Sequence, residues 1–222
     1  MAISIEPRLL ITAFEPFGPW ERNTSADVGR AVADTLGVGL LVLPVELAAT
    51  PRLVREAVVG HDAVLCLGLH GRARALRVER VGLNLADFDR PDNAGRTVSA
   101  ARLEDDAPDA FLTSVDVTGV VLAMRQAGVP ADPSTSAGTY LCNATYFTAL
   151  QVQRRSLFIH LPPLPGEAAL AAARWATRAP SERRDWFGEG LSGEQGGVDP
   201  DAGLALELQV RGVLAAARFL LS

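Results

Sequence analysis

The sequence predicts a single α/β domain over residues 1–222, built on an open, twisted, mostly parallel sheet with helices on both faces. Three observations carry that reading. Short apolar runs of strand length alternate with segments of helical period, the pattern of βα units. The strand candidates are continuously apolar, as strands covered on both faces must be. A chain of 222 residues is also long enough for one substantial core, since such chains bury roughly 70% of their unfolded surface.

Leu9–Phe14 (LLITAF) reads as a buried first strand, ended by Pro16, Gly18 and Pro19. Ser25–Leu36 carries apolar residues at helical spacing (Val28, Val32, Leu36), with Ser25 the expected N-cap and Gly37 the stop. Leu40–Val45 is a second buried strand, and Pro51 opens a short helix through Val58. Ala63–Leu69 is a third strand; Arg74–Leu85 alternates as a fourth and is a candidate for a sheet edge. Residues 86–113, rich in Asp, Pro, Asn and Gly, read as loop. Val115–Gln126 is helical and stops at Gly128-Val129-Pro130. Residues 134–139 form a small-residue loop, and a helix over Asn143–Val152 begins at or just after Cys142. Ser156–Leu161 is a strand running into Pro162, residues 180–203 are predicted to be a mobile insertion, and Leu204–Leu221 is a terminal amphipathic helix.

Composition removes several function classes. The chain is 48% hydrophobic and 21% charged, with a net charge of −5. No basic stripe exists to neutralise phosphates, which argues against nucleic acid. No apolar run approaches the roughly 18 residues of a membrane span. All 21 basic residues are Arg, so a lysine Schiff base and a lysine-bearing phosphate loop are excluded. The N-terminus lacks the charge-then-apolar order of a secretory signal. Cys66 and Cys142 have neither CxxC spacing nor nearby His partners, so no metal site is expected and a reduced, cytoplasmic protein is.

Chemistry can sit at few places. Cys66 lies within an apolar strand and reads as a small core residue with a raised pKa. Cys142 follows a small-residue loop at a helix start, where unpaired N–H groups favour a thiolate and an oxyanion. On the residues alone, an inert buried thiol and a nucleophile both fit it. Among the three His, His61 is expected to be exposed in a turn, and His70 follows the third strand in a Gly-rich turn. His160 closes the strand Leu157-Phe158-Ile159-His160, at the carboxyl end where open α/β sheets build sites. Glu79 alternates with apolar neighbours, so a solvated strand face and a functional carboxylate are both open to it. Phe14 and Phe17 flank Glu15-Pro16 and suit either core or the floor of a pocket.

The order of these pieces resembles the pyroglutamyl peptidase I (pyrrolidone carboxylate peptidase) family of cysteine peptidases over about residues 9–165. Four ordered blocks carry the resemblance: Thr12–Gly18 (TAFEPFG) with Asn23-Thr24-Ser25; Glu79–Asn84 (ERVGLN) with Pro91-Asp92-Asn93; Ser136–Asn143 (SAGTYLCN); and Phe158–Pro162 (FIHLP). It implies a Glu79, Cys142, His160 triad, with Phe14, Phe17, Asn23, Val45, Tyr140 and Leu141 lining the substrate pocket. It further implies peptides with an N-terminal pyroglutamate as substrates, no cofactor, and a homo-oligomer, often a tetramer. The chain departs from the family pattern at Ala13, Leu69, Asp89-Arg90 and Ala144. Leu69 takes the place of a Gln and Asp89 that of an Arg. The alternatives are a related cysteine amidohydrolase for another small cyclic amide, and a non-hydrolytic ligand-binding or redox α/β protein.

Overall fold

The computed structural model describes residues 8–177 and 201–222. Within these residues nine strands and six helices follow in chain order. They are β1 (Leu9–Phe14), α1 (Thr24–Leu36), β2 (Gly39–Leu43), α2 (Thr50–Val58), β3 (Ala63–Leu69), β4 (Leu76–Leu83), β5 (Ala86–Phe88), β6 (Val98–Ala101), β7 (Ala110–Leu112), α3 (Val117–Gln126), β8 (Ala131–Ser136), α4 (Leu141–Val152), β9 (Ser156–Leu161), α5 (Glu167–Ala176) and α6 (Leu206–Leu221). Seven strands make one mixed sheet in the order β2-β1-β3-β9-β4-β7, with β8 also on β4, and β5 pairs with β6 apart from it. The pairs β1–β2, β1–β3, β3–β9 and β4–β8 are parallel; β4–β9 and β4–β7 are antiparallel. The fold is the predicted α/β class. Among the described residues no helix is long and apolar enough to cross a membrane.

Strand parity sorts the core into two layers, because successive side chains point to opposite faces. Leu9, Ile11, Leu65, Leu67, Leu76, Val78, Leu157 and Ile159 pack with α1, α3 and α6 through Val28, Val32, Val120, Met124 and Val213. Leu10, Phe14, Val64, Cys66 and Phe158 point the other way, onto Val54 and Val58 of α2 and Tyr146, Phe147 and Leu150 of α4. Helix α4 is buried along most of its length, which suits an apolar helix with no solvated face.

Several expectations need correction. The N-cap of α1 is Asn23, whose side chain accepts from the Ser25 backbone N–H at 3.2 Å. Ser25 Oγ instead donates to Asn23 Oδ1 and accepts from the Phe14 N–H, tying the helix start to the end of β1. Gly37 does stop α1, with a left-handed φ of 67° that glycine adopts without strain. Strand β4 is not an edge; it lies between β9 and the pair β7 and β8. The predicted loop 86–113 contains β5, β6 and β7, and residues 134–136 of the small-residue stretch belong to β8. Helix α5 has no counterpart in the sequence reading; its Ala168 and Ala171 pack with Trp20, Leu69 and Ala202. Residues 180–200 of the predicted insertion lie outside the described residues, and Ala202 near its end is buried. His61 is half-buried rather than exposed.

Candidate active site

Parity gathers the candidate triad on one face. Glu79 lies on the opposite side of β4 from Leu76 and Val78, and His160 on the opposite side of β9 from Leu157 and Ile159. Both therefore face the layer that holds α4. Antiparallel pairing sets Glu79 beside Phe158 and Arg77 beside His160. Cys142 is the second residue of α4, after the N-cap Tyr140, so its thiol stands at the positive end of a helix dipole. Asn143 fixes that helix end to β4: its Oδ1 accepts from the Leu83 N–H at 2.8 Å, and its Nδ2 donates to the Leu83 and Leu85 carbonyls.

His160 Nδ1 lies 2.8 Å from Glu79 Oε1, with Glu79 fully buried. A solvated strand face is thereby ruled out for Glu79. An ionised carboxylate only accepts, so the ring holds a proton on Nδ1 throughout, and Nε2 is the nitrogen that gains or loses one. Burial alone would lower the His160 pKa; the nearby Cys142 and Glu79 outweigh it and raise the ring to about 9. Hence His160 keeps a proton to give through neutral pH and loses it as pH rises. If it is the acid that protonates the leaving amine, kcat/KM should decline through about pH 9, and a rate profile from pH 6 to 10 checks this. A limb near pH 6.5, the free imidazole value, would count against the arrangement. Stability should follow the same proton. The raised pKa contributes fully below pH 6.5, and that contribution disappears by about pH 9.

Gly68 of β3 makes room for the thiol. A Cβ there would lie 2.9 Å from Cys142 Sγ and 2.8 Å from the Phe158 ring. Sequence reading missed this residue, although parity with Cys66 put it on the same face. Gly68→Ala should push the sulfur off its line to His160. Misplacement of a reacting atom by about 1 Å costs on the order of 100-fold, so kcat should fall by about that factor. The overpacking should lower stability by roughly 1–3 kcal/mol. Rates and a thermal melt on the variant measure both; an unaltered kcat would mean that sulfur position is not set here.

The pocket residues divide. Phe14, Val45, Tyr140 and Leu141 are buried in one cluster, with Phe17 and Cys142 partly buried against it. The Tyr140 ring meets Phe17 at 6.3 Å and Phe88 edge-on at 4.8 Å, and its hydroxyl donates to the Pro91 carbonyl. Asn23 is occupied within the fold, capping α1 and donating Nδ2 to the Glu15 carbonyl. Leu69 has the parity of Leu65 and Leu67 and packs with Trp20, Ala168 and Ala171. Arg90, next to Asp89, lays its guanidinium 4.1 Å over Tyr140. Burial lowers the Arg90 pKa, while Tyr140, Cys142 and Asp89 oppose the shift. A cation thus stands near the thiol although the usual Arg position holds Asp89. Phe88 and Arg90 sit in what reads as loop, and no periodic signal marked them.

Similarity to known proteins agrees with this geometry. The profile of the pyroglutamyl peptidase family matches residues 7–183. The chain belongs to the pyroglutamyl peptidase family. It is 38% identical over 190 residues to the pyrrolidone-carboxylate peptidase of Deinococcus radiodurans, covering 78% of this chain and 85% of that one. Identity to the Streptomyces coelicolor pyrrolidone-carboxylate peptidase is 38% over 174 residues, covering 71% and 79%. The crystal structure of the Thermus thermophilus pyrrolidone carboxyl peptidase superposes with a TM-score of 0.73 at 32% identity, over 95% of this chain and 99% of that one. A mutant Pyrococcus furiosus enzyme, at 24% identity and a TM-score of 0.77 over 96% and 98%, shares the fold.

Membership gives the motif residues a physical reading. Many are ties rather than reagents. Asp92 accepts from the N–H groups of Leu47, Ala94 and Arg96. Asn93 bridges the Val45 and Pro16 carbonyls, and Asn84 accepts from the Leu103 and Glu104 N–H groups. They lock the loops around Tyr140 and Cys142. Among the described residues no three His, Cys, Asp or Glu side chains cluster as metal ligands would.

Proposed function

We propose that this chain is a cysteine-type omega peptidase that hydrolyses the N-terminal pyroglutamyl (5-oxoprolyl) residue from peptides. The observation that carries the reading is the buried contact of Glu79 with His160 Nδ1, which leaves the other ring nitrogen for the thiol of Cys142 at the start of α4. Cys142 Sγ, its proton already passed to His160, attacks the 5-oxoprolyl carbonyl carbon as the thiolate of an ion pair. The tetrahedral oxyanion rests on N–H groups at the helix start. Collapse breaks the C–N bond, and His160 returns the proton to the leaving amine. Water, deprotonated by the same ring, then cleaves the thioester, releasing pyroglutamate and the free thiol. Glu79 holds the ring tautomer and steadies the imidazolium.

A pyroglutamyl terminus has no ammonium group, so a slot walled by Phe14, Phe17, Val45, Tyr140 and Leu141 suits its lactam better than an acidic aminopeptidase site. Asn23 supports that slot through the loop after β1. We further place the protein in the cytoplasm as a homo-oligomer. Two free thiols, Cys66 and Cys142, suit a reducing compartment; the oligomer follows from the family resemblance and is checked by light scattering. The deciding assay is release of anilide from pyroglutamyl-anilide beside other acyl-anilides, with and without iodoacetamide. Hydrolysis of the pyroglutamyl compound alone, abolished by the alkylator, is expected. Thiol alkylation without turnover of any of them would defeat the reading.

A further inference from the structure

The buried Glu79 carboxylate is under-provided. It is fully buried, Oε1 meets His160, and Oε2 has no hydrogen-bond partner. A buried carboxylate stays charged only with a compensating cation; the His160 imidazolium is one, but once the ring has given its proton away it supplies a dipole and no charge. Alternation along β4 puts Arg77 two residues from Glu79 on the same face, directly across from His160. Its Nε lies 3.8 Å from Glu79 Oε1. The guanidinium is anchored by a 3.0 Å bond donated to Ser134 Oγ of β8 and lies 3.4 Å from His70 Nε2. His70 stands edge-on to His160, with ring centroids 5.4 Å apart, and its Nδ1 meets the Arg72 N–H at 3.3 Å. Both polar neighbours of His70 are donors, and an imidazolium accepts from neither.

We propose that Arg77 is a positioning residue of this site: its guanidinium is the counter-charge that keeps Glu79 ionised and aimed at His160, with neutral His70 and Ser134 holding it in place. The assignment rests on the triad reading above. His70 fits the part of a neutral spacer, for burial and the charges of His160, Arg77 and Arg90 push it down to about 3. The remaining groups around Glu79 and His160 do not replace Arg77. From α4 come Cys142 and the Tyr146 hydroxyl, which donates to the Glu79 backbone carbonyl. Arg90 lies over Tyr140, and Asp132 of β8 pairs with Arg125.

The test follows kcat/KM for pyroglutamyl-anilide, and the rate of Cys142 alkylation by iodoacetamide, against pH. Taking away a cation makes nearby groups hold their protons more tightly. In Arg77→Gln both limbs of both profiles should therefore move to higher pH by about half a pH unit or more, with kcat lowered and KM little changed. Arg77→Lys, which keeps the charge, should bring the limbs back toward wild type. Ser134→Ala, which loosens only the anchor, should move them the same way by less and serves if Arg77→Gln does not fold. Limbs that stay where wild type has them overturn the proposal, whatever happens to the melting temperature. Failure of the triad has a different mark: Cys142→Ser that keeps the wild-type rate, which would overturn both. Unmoved limbs beside an inactive Cys142→Ser overturn the Arg77 assignment alone.

Discussion

Cys142→Ser should lower kcat on pyroglutamyl-anilide by about 10,000-fold or more, the scale on which loss of a nucleophile acts, while Cys66→Ser keeps the wild-type rate. The two thiols lie in the same core layer and differ by position. Cys66 is in the middle of β3, fully buried, and burial pushes it up to about 12, with the Thr12 side chain across on β1 opposing the shift. Two residues further along the same face, the strand has narrowed to Gly68, and there Cys142 Sγ packs. One thiol is sealed among Leu10, Val64 and Phe158; the other sits at the start of a helix, close enough to an imidazole to raise its pKa. Cys66→Ser buries a hydroxyl in place of the sulfur and should lower stability by roughly 1–3 kcal/mol. Initial rates and thermal melts on both variants separate the two effects. A Cys142→Ser enzyme with near-wild-type turnover, or a Cys66→Ser enzyme that melts normally and is inactive, would reverse the assignment.

How far the sequence shows this site depends on which physical signal each residue leaves. Strands β1, β3 and β9 are buried throughout and mostly apolar because helices cover both faces, so their runs are easily read. Strand β8 (ADPSTS) leaves no such signal: it pairs only with β4, most of its side chains are at least partly exposed, and as an edge it tolerates Pro133. The same applies to β5–β7, short strands among turn residues. Strand β4 misleads differently. Arg77, Glu79 and Arg80 resemble an exposed edge, yet Glu79 is buried because its charge is answered inside the site. Parity alone puts Cys66, Gly68, Arg77, Glu79 and His160 in one layer. It gives no distances, and it was the ordered motif blocks that singled out Glu79, Cys142 and His160. Those blocks also conceal a distinction visible only in three dimensions: Asn23, Asn84, Asp92, Asn93 and Asn143 hold loops and helix ends, while few motif residues stand where a substrate would.

Glu79→Gln should keep the fold and slow turnover steeply, by up to about 10,000-fold, the cost of misorienting a triad histidine; a thiol nucleophile, which ionises more readily, can reduce that loss. The amide can offer its oxygen to His160 Nδ1 at the same place, but it adds no negative charge to steady the imidazolium. If it turns, its N–H donates instead and stabilises the wrong tautomer. An exposed strand residue would behave otherwise: its Glu→Gln change alters stability by no more than about 0.5 kcal/mol and leaves the rate alone. The sign of the pH response adds a second check. Glu79 is among the groups that raise His160, so neutralising it should move the alkaline limb of Cys142 alkylation to lower pH. Losing the Arg77 cation should move that limb the other way. Opposite displacements from two neighbours 3.8 Å apart cannot come from a common loss of packing, which would lower both rates without setting a direction. Displacement of both limbs in the same direction, or a Glu79→Gln enzyme with near-normal kcat, would remove the carboxylate from the catalytic network.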